Sequence, residues 1–321
     1  MKINVETNYI ESNKIDRNYT ICLIADIHNT KYSKIKEWNL LIKCIKSINP
    51  TYIIIAGDMI ITADDLFNPK CERKLNYLLL QLSNIAPLFI TYGNHELKKG
   101  KNYNANDVDN YFSKYQNNKR IHIINNNCLK INDINILGVS PIYQSYYPEH
   151  KENWEIFLID ALSFLINQIS DELKDNFNIM TIHSPEIIYK FESYLNKTIN
   201  NTDNNELRSK LLKIKENLQV IDLFVSGHMH DGLIPKHWQK ISPFKNYRGL
   251  VASEGNENTH PSLRVSDICR GTHNIFNGKM IITGGVTKWS NPNILFRIIN
   301  HLFVSDISVI KIIKKIVKLA Y

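Results

Sequence analysis

The sequence predicts an α/β fold whose first half is a parallel sheet. Runs of apolar, β-branched residues at 21–25, 52–56 and 88–91 have the length and composition of buried strands. Between them, the stretches 34–48 and 70–84 repeat apolar side chains at every third or fourth position, as amphipathic helices do. Because strands and helices alternate, the pattern predicts βαβ units, whose strands lie parallel.

The second half of the chain continues with shorter strands. Asn-rich turns separate its apolar runs, which predicts a partly antiparallel arrangement. The predicted strands are 121–124, 128–131, 134–139, 178–182, 220–225 and 280–283, and the predicted helices are 154–170, 206–218 and 293–304. The polar stretch 198–205 is predicted to be a surface loop. The stretch 241–277 has no clear periodicity, and we expect this long segment to cover the functional site.

Length and composition are those of one globular domain. The 321 residues are 43% hydrophobic and 22% charged, which argues against a disordered or fibrous chain. The five cysteines are widely spaced without a C-x-x-C pair and are interpreted as reduced thiols. The first twenty residues lack the apolar stretch of a secretory signal, and no stretch has the apolar length of a spanning helix. We therefore expect residues 1–321 to form a single cytoplasmic domain.

Side chains that bind metals follow five of the apolar runs, where the predicted strands end. Carboxylate, imidazole and amide groups suit a hard or borderline divalent cation without any thiolate. The carboxyl ends of parallel strands share one edge of a sheet, so these groups can converge. Asp26 and His28 can both turn toward one ion, whereas His228 and His230, which follow a glycine, can reach different ions from one loop. The series is therefore most simply a two-metal site. The motifs are, in chain order, Asp26-x-His28, Gly57-Asp58, Gly93-Asn94-His95-Glu96, His183 and Gly227-His228-x-His230.

These motifs resemble the pattern of the calcineurin-like metallophosphoesterases, which is D-x-H, G-D, G-N-H-D/E, H and G-H-x-H. All five blocks occur in the family's order between about residues 20 and 285, and together they are far more specific than any single block. The resemblance implies a four-layer α-β-β-α sandwich with two mixed β-sheets flanked by helices. It also implies two divalent ions (Mn, Fe or Zn), one held by Asp26, His28, Asp58 and His230, the other by Asp58, Asn94, His183 and His228.

The same resemblance implies a phosphohydrolase in which a metal-activated hydroxide attacks a phosphoester. His95 would stabilise the developing charge or protonate the leaving oxygen. Glu96, Asp64 and Asp65 are candidates for orienting the metal-binding imidazoles. The alternative is a non-catalytic scaffold of the same fold that binds a protein or a membrane. The histidines outside the motifs are interpreted as surface or core residues; they are His122, His150, His237, His260, His273 and His301.

Three further stretches resemble one branch of the family, the bacterial phosphohydrolases associated with membranes or lipid phosphates. They are 227–235, 247–249 and 283–286. The chain departs from this branch at Asp231, where the family usually has glycine, and at its N-terminus, which has no apolar segment of the kind that many of those relatives carry. A phosphodiester or a lipid-linked phosphate is favoured over a simple monoester. The cationic candidates for substrate binding are Arg248 and Arg264, with Lys236 and Arg270 as further possibilities.

The net charge of +8 and the pI near 9.0 favour a polyanionic partner or an anionic surface. Basic and aromatic residues are not interleaved as in a stacking platform, so no specific nucleic-acid site is predicted. The C-terminal extension 293–321 leaves two alternatives: 309–320 is a basic amphipathic helix at an anionic membrane, or 307–312 is a final strand with a short basic tail. We expect a phosphorylated small molecule or lipid as substrate and peripheral membrane contact; the oligomeric state is left open.

Overall fold

Two six-stranded mixed sheets form the centre of the computed structural model, which describes residues 2–146, 158–159, 162–163, 174–235, 237–253, 262–287 and 303–315. The first sheet contains, in spatial order, β1 (Ile3–Ser12), β14 (Ser305–Lys314), β2 (Tyr19–Ile24), β3 (Tyr52–Ala56), β4 (Leu88–Thr91) and β5 (Ile121–Ile123). Neighbouring strands are parallel except β14 and β2, which are antiparallel. The part from β2 to β5 is therefore the parallel sheet that the apolar runs predict.

The second sheet has a parallel centre and antiparallel edges. Its spatial order is β12 (Gly271–Ile275), β13 (Gly278–Ile282), β9 (Leu223–Ser226), β8 (Phe177–Ile182), β7 (Ile134–Val139) and β6 (Asn127–Ile131). The four inner strands are parallel, whereas β12 and β6 pair antiparallel with their neighbours. Two further strands, β10 (Gly249–Ser253) and β11 (Ser262–Ser266), form a separate antiparallel ribbon.

Asparagine side chains cap the N-termini of several described helices. Asn68 precedes the second helix, and its side chain accepts hydrogen bonds from the backbone N–H groups of Lys70 and Cys71. The α-helices are α1 (Ile35–Ile48), α2 (Pro69–Ile85), α3 (Asn94–Leu97), α4 (Ala105–Phe112), α5 (Pro185–Asn201) and α6 (Asn205–Leu218). Short 3-10 turns occur at Ala63–Phe67, Ser113–Tyr115, Tyr143–Tyr146, His230–Leu233 and Trp238–Lys240.

Alternating side chains divide the apolar core into the layers of a sandwich. On β2, Ile24 faces outward and belongs to the cluster that includes Leu41 of α1. Its neighbour Leu23 faces the other way and packs with Ile179 of the second sheet. The far side of that sheet packs against α5 and α6 through residues such as Phe224. This order of helices, sheet, sheet and helices confirms the four-layer α-β-β-α fold.

Two parts of the chain contain more regular structure than predicted. Helix α5 continues through residues 198–201, so the surface loop predicted at 198–205 is reduced to 202–204. The segment 241–277, predicted to lack regular structure, contains β10, β11 and β12. Among the described strands, those of the ribbon pair only with each other, and Val265 is 59% exposed. Each is five residues long, too short for a periodicity to stand out in the sequence of this segment.

The C-terminal segment is a strand as far as Lys314, and the helical alternative is wrong there. β14 is paired on both sides, by β1 and by β2. Ile310 and Ile312 are buried between the sheets, while Lys311 is exposed. The apolar residues of this segment alternate as in a strand and also lie on one face of a helix, so the sequence alone could not separate the alternatives. Strand β1, its partner, was not predicted because its residues are mostly polar and half-exposed.

Two predicted helices fall largely outside the described residues. Of the helix predicted at 154–170, only 158–159 and 162–163 are described, and both pairs are helical. The helix predicted at 293–304 lies outside the described residues apart from its last two. Within the described ranges, no helix has both the length and the apolar composition needed to cross a bilayer.

The placement of β14 predicts a large stability effect for Ile310→Ala. Ile310 is fully buried between the two sheets, and truncation of such a side chain costs about 2–5 kcal/mol. Urea unfolding measures the loss. The matched control is Lys311→Ala on the same strand, for which we expect a change of about 0.5 kcal/mol or less because its side chain is exposed. Equal effects for the two variants would contradict the strand.

Candidate metal centre

The carboxyl ends of parallel strands from both sheets meet at one place. In the first sheet, β2, β3 and β4 lead directly into the turns that carry Asp26, Asp58 and Asn94. In the second sheet, β8 and β9 lead into His183 and His228. Chain segments as far apart as Asp26 and His228, which are separated by 202 positions, thus contribute polar side chains to one cluster.

Hydrogen bonds connect these turns within and between the sheets. The backbone N–H of His28 donates to the carbonyl of Asp58, at 2.9 Å. Across the sandwich, the backbone N–H of His228 donates to both carboxylate oxygens of Asp26, at 3.2 and 3.0 Å. The carboxylate of Asp26 therefore ties the two sheets together at the cluster.

The Asp58 carboxylate is surrounded by imidazoles. Its Oδ2 atom lies 3.0 Å from Nε2 of His183 and 3.8 Å from Nε2 of both His28 and His95. Asp26 is similarly placed, with its Oδ1 atom 3.7 Å from Nε2 of His230. Within the described part of the chain, three groups have donor atoms within 4.8 Å of one another: Asp26, His28 and His230; Asp58, His183 and His228; and His28, Asp58 and His95. Shared members make these groups one continuous cluster.

Backbone carbonyls set the orientation and the tautomer of most of these imidazoles. The Nδ1 atoms face carbonyl oxygens in the pairs His183 with Ala56 (2.6 Å), His230 with Thr287 (2.8 Å) and His28 with Ile60 (3.3 Å). Because a carbonyl only accepts, each Nδ1 carries a hydrogen, and each Nε2 is the ring atom that faces the cluster. In the neutral ring this is the tautomer that a metal ligand requires.

Two buried atoms in the cluster have no hydrogen-bond partner among the described residues. They are Nε2 of His28 and Oδ1 of Asn94. A buried polar atom without a partner costs about 1–3 kcal/mol, and a bound cation would supply the missing interaction. Imidazole nitrogen, amide oxygen and carboxylate oxygen are ligands that Mn, Fe and Zn accept. The residues present therefore fit a divalent-metal site.

The cluster stands on backbone of unusual conformation. Left-handed φ angles occur at Asp26 (54°), His28 (46°), Asp58 (56°), His228 (70°) and His230 (46°). Asp and His tolerate this region better than most residues, yet each such position costs about 1–3 kcal/mol. So many in one place persist only because the surrounding hydrogen bonds hold them, which is typical of a functional site.

Gly57 shows how closely the turns approach one another. Its φ is 85°, and a Cβ atom at this position would lie 2.6 Å from Nδ1 of His183 and 2.7 Å from the backbone nitrogen of Gly93. Only glycine fits both the conformation and the space. The glycine of the Gly57-Asp58 motif thus lets the turns after β3, β4 and β8 pack together.

The electrostatic field of the cluster attracts positive charge. Burial would raise the pKa of Asp58, but the imidazoles of His183, His95 and His28 lower it well below its usual range. Burial opposes protonation of His183, yet Asp58 and Asp26 raise its pKa to about 9. Burial raises the pKa of Asp26, against the influence of His230 and His183. The ionised carboxylate of Asp58 attracts a cation, and a divalent ion bound at Nε2 of His183 would replace the proton there.

Comparison with known proteins agrees with this geometry. The family model described as calcineurin-like phosphoesterase matches residues 19–232. The chain belongs to the calcineurin-like phosphoesterase family. It is accordingly a metal-dependent phosphoesterase, a hydrolase that acts on phosphoester bonds. No curated protein matches the sequence.

Solved structures similar to this phosphoesterase are distant in sequence. A dimetal phosphatase from Danio rerio is 11% identical, with a TM-score of 0.42 over 84% of this chain and 88% of that one. The GAP50 anchor of the inner membrane complex of Plasmodium is 13% identical, with a TM-score of 0.38 over 84% and 72%. A purple acid phosphatase from yellow lupin (Lupinus luteus) seeds is 9% identical, with a TM-score of 0.36 over 68% and 39%.

The sequence nominates Glu96 to orient an imidazole. In the structure of the phosphoesterase, its carboxylate instead accepts hydrogen bonds from backbone N–H groups. Its fully buried carboxylate accepts from Asp58 (2.8 Å) and Gly93 (2.8 Å) through Oε2, and from Met59 (2.7 Å) and Ile60 (3.2 Å) through Oε1. Burial and the neighbouring Asp58 raise its pKa. The other nominated carboxylates also accept from backbone N–H groups, Asp64 from residues 101 and 102, and Asp65 from 61 and 62.

The two arginines nominated for substrate binding are not members of the metal-type groups. Arg248 pairs with Asp267 on the surface, at 2.6 Å. Arg264 forms a two-pronged ion pair with Glu186 at the start of α5. Both guanidinium groups thus already have carboxylate partners, and their contact with substrate stays a prediction.

Asp231, where the family usually has glycine, keeps the backbone conformation that glycine would allow. Its φ is 62°, and Asp tolerates this region because its short polar side chain bonds locally. Its Oδ2 atom accepts from Gln239, at 2.5 Å. The buried Arg270 donates to the carbonyls of Asp231 and Phe244, which fixes the following segment to the turn after His230.

Sequence reasoning missed two residues beside the metal-type groups. Thr287 orients His230 through its carbonyl, and a backbone contact leaves no side-chain signal; only the preceding Gly284-Gly285 pair marks a close approach. The Tyr146 ring centroid lies 5.7 Å from that of His228 and 6.0 Å from that of His183. Burial, and then the charge of Asp58, raise its pKa well above the usual range. No motif surrounds Tyr146.

Glu96→Gln is predicted to weaken the site. Both carboxylate oxygens accept from N–H groups, so either orientation of an amide places a donor against donors. We expect metal affinity to fall about 10- to 100-fold and unfolding free energy to fall by about 1–3 kcal/mol. Metal titration and urea unfolding measure these changes. In the control Glu72→Gln, an exposed ion pair with Lys114 is lost, and both values should stay near those of the parent chain. An unchanged metal affinity in Glu96→Gln would refute this account.

Proposed function

We propose that this phosphoesterase is a dinuclear phosphohydrolase in which Asp58 would be a ligand common to both ions. Asp26, His28 and His230 would complete one site; Asn94, His183 and His228 would complete the other. The observation that carries the proposal is the overlap of three metal-type groups at Asp58 and His28. It is supported by two buried atoms, Nε2 of His28 and Oδ1 of Asn94, that have no hydrogen-bond partner among the described residues. The ligand set suits Mn, Fe or Zn and does not choose among them.

The bound ions would neutralise phosphoryl charge and lower the pKa of a water molecule near the phosphorus atom. The chain's own contribution is to hold its ligands before the substrate arrives. Backbone carbonyls hold the hydrogen on Nδ1 of His183 and His230 and so leave Nε2 as the atom that can bind a cation, and Glu96 fixes the turn that carries Asp58. Preorganised groups need not rearrange during reaction, which is the largest contribution of many active sites.

His95 is proposed as the residue that stabilises or protonates the leaving oxygen. Its Nδ1 atom lies 2.6 Å from the carbonyl of Ile61, so Nδ1 keeps a hydrogen and Nε2 is the atom that can exchange a proton. The side chain is 10% exposed, which leaves an approach for substrate. Its backbone N–H donates separately to Asp58, at 3.0 Å. A change of the side chain alone therefore leaves that bond in place.

A phosphodiester or lipid-linked phosphate is proposed as the substrate class. The net charge of +8 favours an anionic surface, and the segment 237–248, which Arg270 fixes beside the turn after His230, contains no acidic residue. Its exposed apolar side chains are Trp238 (50%), Ile241 (58%) and Tyr247 (44%). Exposed aromatic and apolar groups beside lysines suit the membrane interface. Peripheral contact through this segment is therefore more consistent with the fold than contact through β14.

The proposal predicts hydrolysis that depends on added metal. We expect the chain to cleave bis(p-nitrophenyl) phosphate with Mn²⁺, to lose activity after chelation and to regain it when Mn²⁺, Fe²⁺ or Zn²⁺ is restored, with about two ions per chain by elemental analysis. p-Nitrophenyl phosphate and a lipid phosphate in vesicles complete the panel and rank the substrate classes. No hydrolysis under any metal would favour the alternative, a non-catalytic scaffold.

For His95→Gln, the expected result is a fall in kcat of about 10²- to 10⁴-fold with unchanged metal content. The reason is that the proton-exchanging atom is lost while the backbone bond to Asp58 remains. The control is His122→Gln, whose imidazole stacks on Phe89 away from the metal-type groups; its kcat should stay near that of the parent. If His95→Gln lost metal in proportion to activity, the side chain would be a ligand and the proposed role would be wrong.

A further inference from the structure

Tyr146 stands where three parts of the site come together. It ends the short turn Tyr143–Tyr146, which follows β7 and packs against α3, the helix that begins with Asn94. β7 runs parallel to β8, with Val139 opposite Ile182, so the chain leaves the sheet beside His183. The phenol therefore lies between the Asn94 side of the cluster and the His183 and His228 imidazoles.

The ring of Tyr146 is packed, but its hydroxyl has no partner in the described part of the chain. The ring planes make angles of 53° with His183 and 54° with His228, and the ring packs against the apolar cluster beneath the second sheet. The hydroxyl oxygen is buried and makes no hydrogen bond. A phenylalanine would provide the same packing without an unsatisfied hydroxyl, so packing does not account for a tyrosine here.

The chemistry of the phenol defines the group that would complete it. A phenol is protonated at neutral pH and donates one hydrogen bond. The anionic groups nearby, Asp58 and Glu96, are engaged by the imidazoles and by backbone N–H groups. The ligand that brings an additional acceptor to this place is the substrate, whose phosphoryl oxygens carry negative charge.

We infer that Tyr146 is a substrate-binding residue whose hydroxyl donates a hydrogen bond to a non-bridging phosphoryl oxygen, on the side of the site formed by His183 and His228. The inference rests on the proposed function. Tyr146 and His95 then contact the phosphoryl group from different sides, since His95 belongs to the group of His28 and Asp58. Tyr146 takes no part in proton transfer; it binds the phosphoryl group.

The test is Tyr146→Phe in the full-length, Mn²⁺-loaded chain. We expect kcat/KM for bis(p-nitrophenyl) phosphate to fall about 10- to 100-fold, because a hydrogen bond to a charged group is lost. Binding of inorganic phosphate, measured by calorimetry, should weaken about 10-fold or more. Metal content and thermal stability should equal those of the parent, because no hydrogen bond within the described chain is removed.

The matched control is Tyr111→Phe. Tyr111 is a partly buried residue of α4 whose hydroxyl is buried without a hydrogen bond in the described chain, and it packs on Phe67 and Phe112 away from the metal-type groups. Its kcat/KM and phosphate affinity should not change. Unchanged phosphate binding in Tyr146→Phe, or a fall explained by loss of metal, would overturn the inference. A parent chain that loads metal but neither cleaves any ester nor binds phosphate would instead overturn the proposed function, so the two failures are distinguishable.

Discussion

The site depends on one buried carboxylate placed among imidazoles. Asp58 is shared by two of the three metal-type groups and is linked to the third through His28. In a buried site its negative charge is only weakly screened, so the surrounding imidazoles lower its pKa. The rest of the site is arranged around this charge: Nε2 atoms of the imidazoles face it, Gly57 brings the turns close to it, and Glu96 holds its backbone.

Rigidity is the common property of these contacts. Five residues with metal-type side chains, Asp26, His28, Asp58, His228 and His230, adopt left-handed backbone, which is unfavourable in isolation. Hydrogen bonds between turns offset this cost, and several of them cross from one sheet to the other, as the bond from His228 to Asp26 does. A metal-dependent phosphoesterase benefits from such an arrangement because ligands held in place by their surroundings keep the geometry required for catalysis.

A small site in this fold requires a long chain, because its residues follow parallel strands of two sheets. Neighbouring parallel strands need crossover connections, and most of the helices that form them are also the outer layers of the fold. β14 pairs with β2 and closes the first sheet around the strand that leads to Asp26. The segment after His230 is fixed by the buried Arg270, so the surface next to the site is held by the same framework as the ligands.

The sequence by itself determined the α/β class, most strand and helix positions, and the metal-type residues at strand ends, because these depend on local periodicity and on motifs that chemistry constrains. It could not separate strand from helix at Ile310, since both periods fit the same residues. Only the tertiary structure decided that carbonyls such as that of Thr287 orient the imidazoles, that Glu96 holds backbone, and that Tyr146 reaches the site. The physical reason is that these contacts join residues far apart in the chain through backbone atoms or isolated side chains, and such contacts leave no pattern along the sequence.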